Sequence, residues 1–151
     1  MPIQTEEIVT KESYKIVVDY DQTLKKLIKL GRYRYVNKKV NSTLFPSSEK
    51  GKKEILTELI CFNRPICSSD AIDDFGEMGL RPATITELLA FAATFPDKQG
   101  FPPVLALGSR GWISGGSHVA VIQAGFSGRA LRLLPSTERW HIKDRFLTVH
   151  R

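Results

Sequence analysis

Hydrophobic and polar positions change period several times along the 151 residues. Residues 13–20 are rich in β-branched and aromatic side chains and predict a strand. From 22 to 30 the spacing becomes helical, with Leu24, Leu27 and Ile28 on one face. Asp21 is placed to cap this helix and Gly31 to end it. Tyr33, Tyr35 and Val36 predict a short extended piece. Residues 37–53 are polar, contain Pro46, Ser47, Ser48 and Gly51, and predict a long exposed loop. Apolar residues return over 54–62, a second strand built on Ile55, Leu56, Leu59, Ile60 and Phe62.

Ser68 or Ser69 can open a short acidic helix over 70–78, with Ile72 and Phe75 inward and Asp70, Asp73 and Asp74 near its electropositive start. Gly79 ends it. Thr84, Ile85, Thr86 and Glu87 then form a capping box, in which the Thr84 hydroxyl accepts from the Glu87 N–H and the Glu87 carboxylate from the Thr84 N–H. Leu88, Leu89, Phe91, Ala92 and Phe95 give this helix its apolar face, and Pro96 stops it. Short strands follow at 104–107, 118–123, 130–134 and 145–150. Gly115-Gly116 and 125–128 make turns, and 135–143 is a polar loop carrying Trp140. Two helices followed by strands predict an α+β fold with a small, twisted antiparallel sheet. Residues 1–53 read as an N-terminal strand-helix extension and loop, and residues 54–151 as the main domain.

The net charge of +6 is uneven. Residues 1–60 hold twelve Lys/Arg against eight Asp/Glu, residues 61–100 three against six, and residues 101–151 seven against two. A basic balance is compatible with an anionic partner. Tyr14, Tyr20, Tyr33 and Tyr35 alternate with Lys25, Lys26, Lys29, Arg32, Arg34, Lys38 and Lys39, an interleaving that suits nucleic acid. No run is apolar and long enough to span a membrane. The N-terminus lacks the apolar region of a secretory signal, so the default expectation is the cytoplasm.

Catalytic signatures are missing from the sequence. Cys61 and Cys67 have neither redox nor zinc spacing and read as free thiols. His118, His141 and His150 are not spaced as metal ligands. Neither a phosphate loop nor a nucleophile elbow occurs. Glu87 is explained by its cap, and Asp73, Asp74 and Glu77 by a solvated helix face. No enzyme activity, metal or cofactor is expected.

Leu80-Arg81-Pro82-Ala83-Thr84 with Glu87-Leu88, then Ala106-Leu107-Gly108-Ser109, then Arg145-Phe146-Leu147-Thr148-Val149 resemble, in order, elements of formylglycine-generating-enzyme-like proteins. They are also similar to a group of uncharacterised bacterial proteins with the same three motifs. The resemblance spans residues 54–151 and implies a C-type-lectin-like fold. The calcium-binding triplets of sugar-binding lectins are missing, and so is the C-terminal cysteine pair of the formylglycine-generating enzymes.

Another branch of that fold comprises the variable proteins of diversity-generating retroelements, which bind through late strands and loops. The resemblance implies a non-enzymatic module that binds a protein or other macromolecule through Gln123, Phe126, Arg132, Leu134, Ser136, Thr137, Glu138, Arg139, Trp140, His141 and Lys143. Trp140 is open to a second reading, as a core anchor. The alternative function is nucleic-acid association through the basic N-terminal part.

Overall fold

A computed structural model describes residues 9–96, 102–125 and 128–151. Its elements follow the chain as β1 (Thr10–Asp19), α1 (Leu24–Gly31), β2 (Tyr35–Val36), β3 (Lys52–Cys61), β4 (Ile66–Cys67), α2 (Ser68–Glu77), β5 (Leu80–Pro82), α3 (Ile85–Thr94), β6 (Val104–Ile113), β7 (Gly116–Gly125), β8 (Gly128–Pro135), β9 (Arg139–Trp140) and β10 (Arg145–His150). The main sheet has eight strands, ordered β1-β3-β10-β6-β7-β8-β2, with β5 also paired to β10. The mixed α and β content matches expectation, but the sheet is not small. It is mostly antiparallel, with parallel pairings of β10 to β6 and of β2 to β8.

Strand alternation divides the core into two layers. Ile16, Val18, Leu59, Leu147, Val149, Val104, Ala106, Ala120, Ile122 and Leu131 face α1 and α3. Ile60, Phe146, Leu105, Leu107, Val119 and Val121 face the other way, toward Phe62, Phe75, Leu80 and Trp140. The long N-terminal strand β1 pairs with β3 along its whole length, from Thr10↔Cys61 to Asp19↔Lys52. Residues of the 1–53 stretch and the 54–151 stretch therefore share one sheet and one core.

Several local expectations are corrected. Thr23, not Asp21, caps α1, its hydroxyl accepting from the Lys26 N–H at 3.1 Å. Asp21 instead accepts from the Gly51 N–H at 3.0 Å. The 37–53 stretch is not wholly an exposed loop: Val40 and Phe45 within it are buried, and β3 begins at Lys52. The hydroxyl of Ser68 does not cap α2 but donates to the Ser136 carbonyl at 2.8 Å. The strand beginning at Val104 runs on to Ile113, through a register shift against β7 between Ala106 and Gly111. Beyond it, Ser114 and Gly115 both take positive φ in the two-residue turn that joins β6 to β7, the geometry that twisted hairpins favour.

Candidate functional site

The motif-bearing segments converge on the start of α3. Both halves of the capping box are formed, with Glu87 N–H to Thr84 Oγ1 at 3.3 Å and Thr84 N–H to Glu87 Oε1 at 2.8 Å. The carboxylate does more than cap. Arg81 Nη1 and Nη2 donate to its two oxygens at 2.9 and 2.8 Å, and the Tyr20 hydroxyl donates to Oε2 at 2.5 Å. Glu87 is 1 % exposed. Burial alone would raise its pKa, but the bonds from Arg81, Tyr20 and Thr84 outweigh that and hold it below the usual carboxylate range. Burial, and then the bond to Glu87, push the Tyr20 phenol up.

Ser109 completes this knot by accepting from the Ile85 N–H at 2.8 Å, which satisfies another free donor of the helix start. Gly108 donates to the Ala83 carbonyl at 2.8 Å, and a Cβ on it would lie 2.5 Å from that oxygen. Arg151 Nε reaches the Leu80 carbonyl at 3.1 Å. A carboxylate that already accepts four hydrogen bonds has no capacity left for a substrate proton. These segments hold the fold together.

The residues expected to bind are spread over two regions. Trp140 is buried, and its Nε1–H donates to Ser68 Oγ at 2.9 Å. Its β9 strand pairs with β4. Ser136 is buried as well, with its hydroxyl against Ser117. Both are core residues and leave the expected contact set. Thr137, Glu138, Arg139, His141 and Lys143 are exposed around the β8–β9 corner, where the Asp144 carboxylate accepts from the His141 N–H at 2.8 Å. Phe126 lies outside the described residues. Gln123, Arg132 and Leu134 sit on β7 and β8 and share the sheet face that α2 covers further along.

Beside Gln123 and Arg132 the structure places two residues from the N-terminal part. In the parallel β2–β8 pairing Tyr35 lies opposite Ala130, so Tyr35 and Arg132 occupy one face. The Arg132 guanidinium stands 5.0 Å from the Tyr35 ring centroid. Arg34, Tyr35, Gln123, Ala130 and Arg132 line a shallow groove of about 150 Å³ at this sheet edge. Arg129, at its margin, has a different task. It stacks 5.0 Å from the Tyr33 ring centroid and donates to the Ala92 carbonyl at 3.1 Å and to the Gly31 carbonyl. Those carbonyls lie in the last turns of α3 and α1, where a cation is favoured.

Comparison with known proteins finds no matching family model, no similar curated protein and no similar solved structure. The chemistry of the surface is therefore what indicates function. Residues 22–48 carry seven Lys/Arg and residues 98–137 four, and neither segment contains Asp or Glu. All sixteen acidic residues lie in the remainder, with the other eleven Lys/Arg. The two acid-free segments adjoin in space. Arg34 N–H donates to the Arg129 carbonyl at 2.8 Å and Asn37 N–H to the Leu131 carbonyl at 3.0 Å. Further along, Lys39, Asn41, Thr43 and Leu44 line a second shallow groove with Trp112 and Ile113. Averaging charge over thirds of the chain hides this segregation. A scan for stretches without acidic residues would have found it.

Proposed function

We propose that this chain is a non-enzymatic binding module that presents the β7–β8–β2 edge, where the two acid-free segments meet, to an anionic macromolecule. The observation that carries this reading is the meeting of the two acid-free segments at Tyr35 and Arg132. It joins the two sequence-based expectations, since the basic N-terminal residues and the late strands contribute to one surface. Arg34, Tyr35, Gln123 and Arg132 are the proposed contacts, with Lys38 and Lys39 beside them. Guanidinium groups suit anionic oxygens, and the Tyr35 ring holds one of them in place.

For the fold family, the C-type-lectin-like reading of residues 54–151 is supported by the return of β10 onto β3, with α2 and α3 in the intervening chain.

Retention on immobilised heparin, a sulfated polyanion, tests the binding reading. The protein should be held at low salt and released as salt rises, because each phosphate-like contact displaces a counterion. Changing Arg34→Glu together with Arg132→Glu should move elution to much lower salt. Lys11→Glu, on the far strand β1, should move it little. Equal shifts for the two variants, or no retention at low salt, would overturn the proposal.

A further inference from the structure

We infer that the ligand of this surface is single-stranded nucleic acid, with Tyr35 and Trp112 as the platforms on which unpaired bases stack. The inference rests on the anion-binding reading and names its ligand.

Trp112 is the most exposed large hydrophobic residue described, at 71 %, and Tyr35 is 46 % exposed. Core packing explains neither. Trp112 stands on β6, one residue before the end of that strand, at the Ser114-Gly115 turn, and lines the groove formed with Lys39, Asn41 and Thr43. Tyr35 stands at the other end of the short connection 35–44 and carries the Arg132 guanidinium against its ring. Each exposed aromatic therefore shares its groove with a cation, Arg132 stacked on Tyr35 and Lys39 lining the groove of Trp112. Lys38 and Lys39, both exposed, lie on the chain between the two rings.

A sulfated polysaccharide or an acidic protein would be held by the cations alone and gives no reason to keep two exposed rings. A nucleic-acid duplex hides its base faces inside the stack. Unpaired bases offer flat π-faces together with a backbone charge at every step, and alternating aromatics and cations match that pattern. The groove at each ring also supplies amide or hydroxyl side chains, Gln123 at Tyr35 and Asn41 with Thr43 at Trp112. These can pair with base edges that a single strand leaves open.

The two tryptophans give a direct signal, because Trp112 is exposed and Trp140 is buried. The full chain is titrated with an oligodeoxythymidylate of about 20 nucleotides, with oligouridylate of equal length, with a duplex of the same length and with heparin. The expected result is quenching of the exposed tryptophan by the single strands, and affinity about ten-fold or more above that for the duplex at matched salt. Tyr35→Ala and Trp112→Ala should each weaken single-strand binding by about ten-fold, and Trp112→Ala, which lies outside the proposed anion contacts, should leave heparin retention nearly unchanged. Both side chains are on the surface, and an unchanged circular dichroism spectrum confirms the fold. Heparin retention with duplex and single strand bound alike, or with ring variants that bind single strands normally, overturns this inference and leaves the anion-binding reading standing. Failure to bind heparin and oligonucleotides alike overturns both.

Discussion

The guanidinium of Arg81 holds both oxygens of the Glu87 carboxylate from six residues upstream, at 2.9 and 2.8 Å. The pair joins β5 to the start of α3, and Tyr20, just past the end of β1, closes over it with a third bond. Removing Glu87 leaves the buried Tyr20 hydroxyl and the Thr84 N–H without their partner, while Arg81, 37 % exposed, keeps solvent and the Pro82 carbonyl. Glu87→Ala should therefore cost about 2–3 kcal/mol, below the range for a fully buried ion pair because Arg81 remains partly solvated. Glu87→Gln should cost less, because an amide still accepts from Tyr20 or Thr84. Urea denaturation of the three proteins measures both losses, and an alanine variant as stable as the parent would contradict this role.

The same group sets an acid limit. The folded-state pKa of Glu87 is lowered, so its stabilisation is complete above the unfolded carboxyl value of about 4.3 and fades as pH falls through the lower folded value. The stability gap between the parent and Glu87→Gln should be constant near neutrality and narrow below about pH 4. Tyr20 acts at the opposite end. Its raised pKa means that its contribution is present below the unfolded phenol value of about 10 and is lost as pH rises beyond it. Chemical denaturation across the pH range, with Tyr20→Phe as the alkaline control, tests both signs.

Gly108→Ala should destabilise by about 1–3 kcal/mol, because the new methyl meets the backbone carbonyl of Ala83, which cannot rotate away. Thermal melting would show it. Ser109→Ala should cost about 1 kcal/mol through loss of the Ile85 N–H partner. Neither change should alter retention on heparin, since the start of α3 contributes nothing to the β7–β8–β2 edge.

Trp140→Phe separates core from contact. The ring is buried and its one polar bond goes to Ser68, so the variant should lose about 1–2 kcal/mol of stability and keep its polyanion affinity. A drop in heparin retention as large as that of the Arg34 and Arg132 reversals would return Trp140 to the binding surface.

Much of the local structure is legible in the sequence because its causes are local. The capping box depends on residues three apart, and the helix faces on a 3.6-residue period. Thr84, Glu87, Leu88 and Phe91 follow directly. What escapes is set by distant pairings. Tyr20 and Glu87 are 67 positions apart, and Ser68 and Trp140 are 72 apart. Nothing around Trp140 distinguishes a polar loop from one pinned to the core by a single indole N–H. The site was half legible for the same reason. Gln123 and Arg132 alternate visibly along their strands, whereas Tyr35 joins them only through a two-residue parallel pairing. The motifs that carry the resemblance, at Arg81, Thr84, Glu87, Gly108 and Ser109, mark the knot at the helix start and say little about the binding surface.

The position of β10 has a consequence for how the chain reaches this state. It lies between β3 and β6, antiparallel to one and parallel to the other. Without it, the β1–β3 pair and the β6–β8 meander would be linked only through the β2–β8 pairing, and each would leave an edge open where β10 sits. This strand is thus the keystone. Its contacts reach back across most of the sequence, for example from Thr148 to the Glu58 carbonyl, 90 residues earlier. Such long closures are slow. Open strand edges of this kind are vulnerable to pairing with other chains, and β10 covers one on each side of itself.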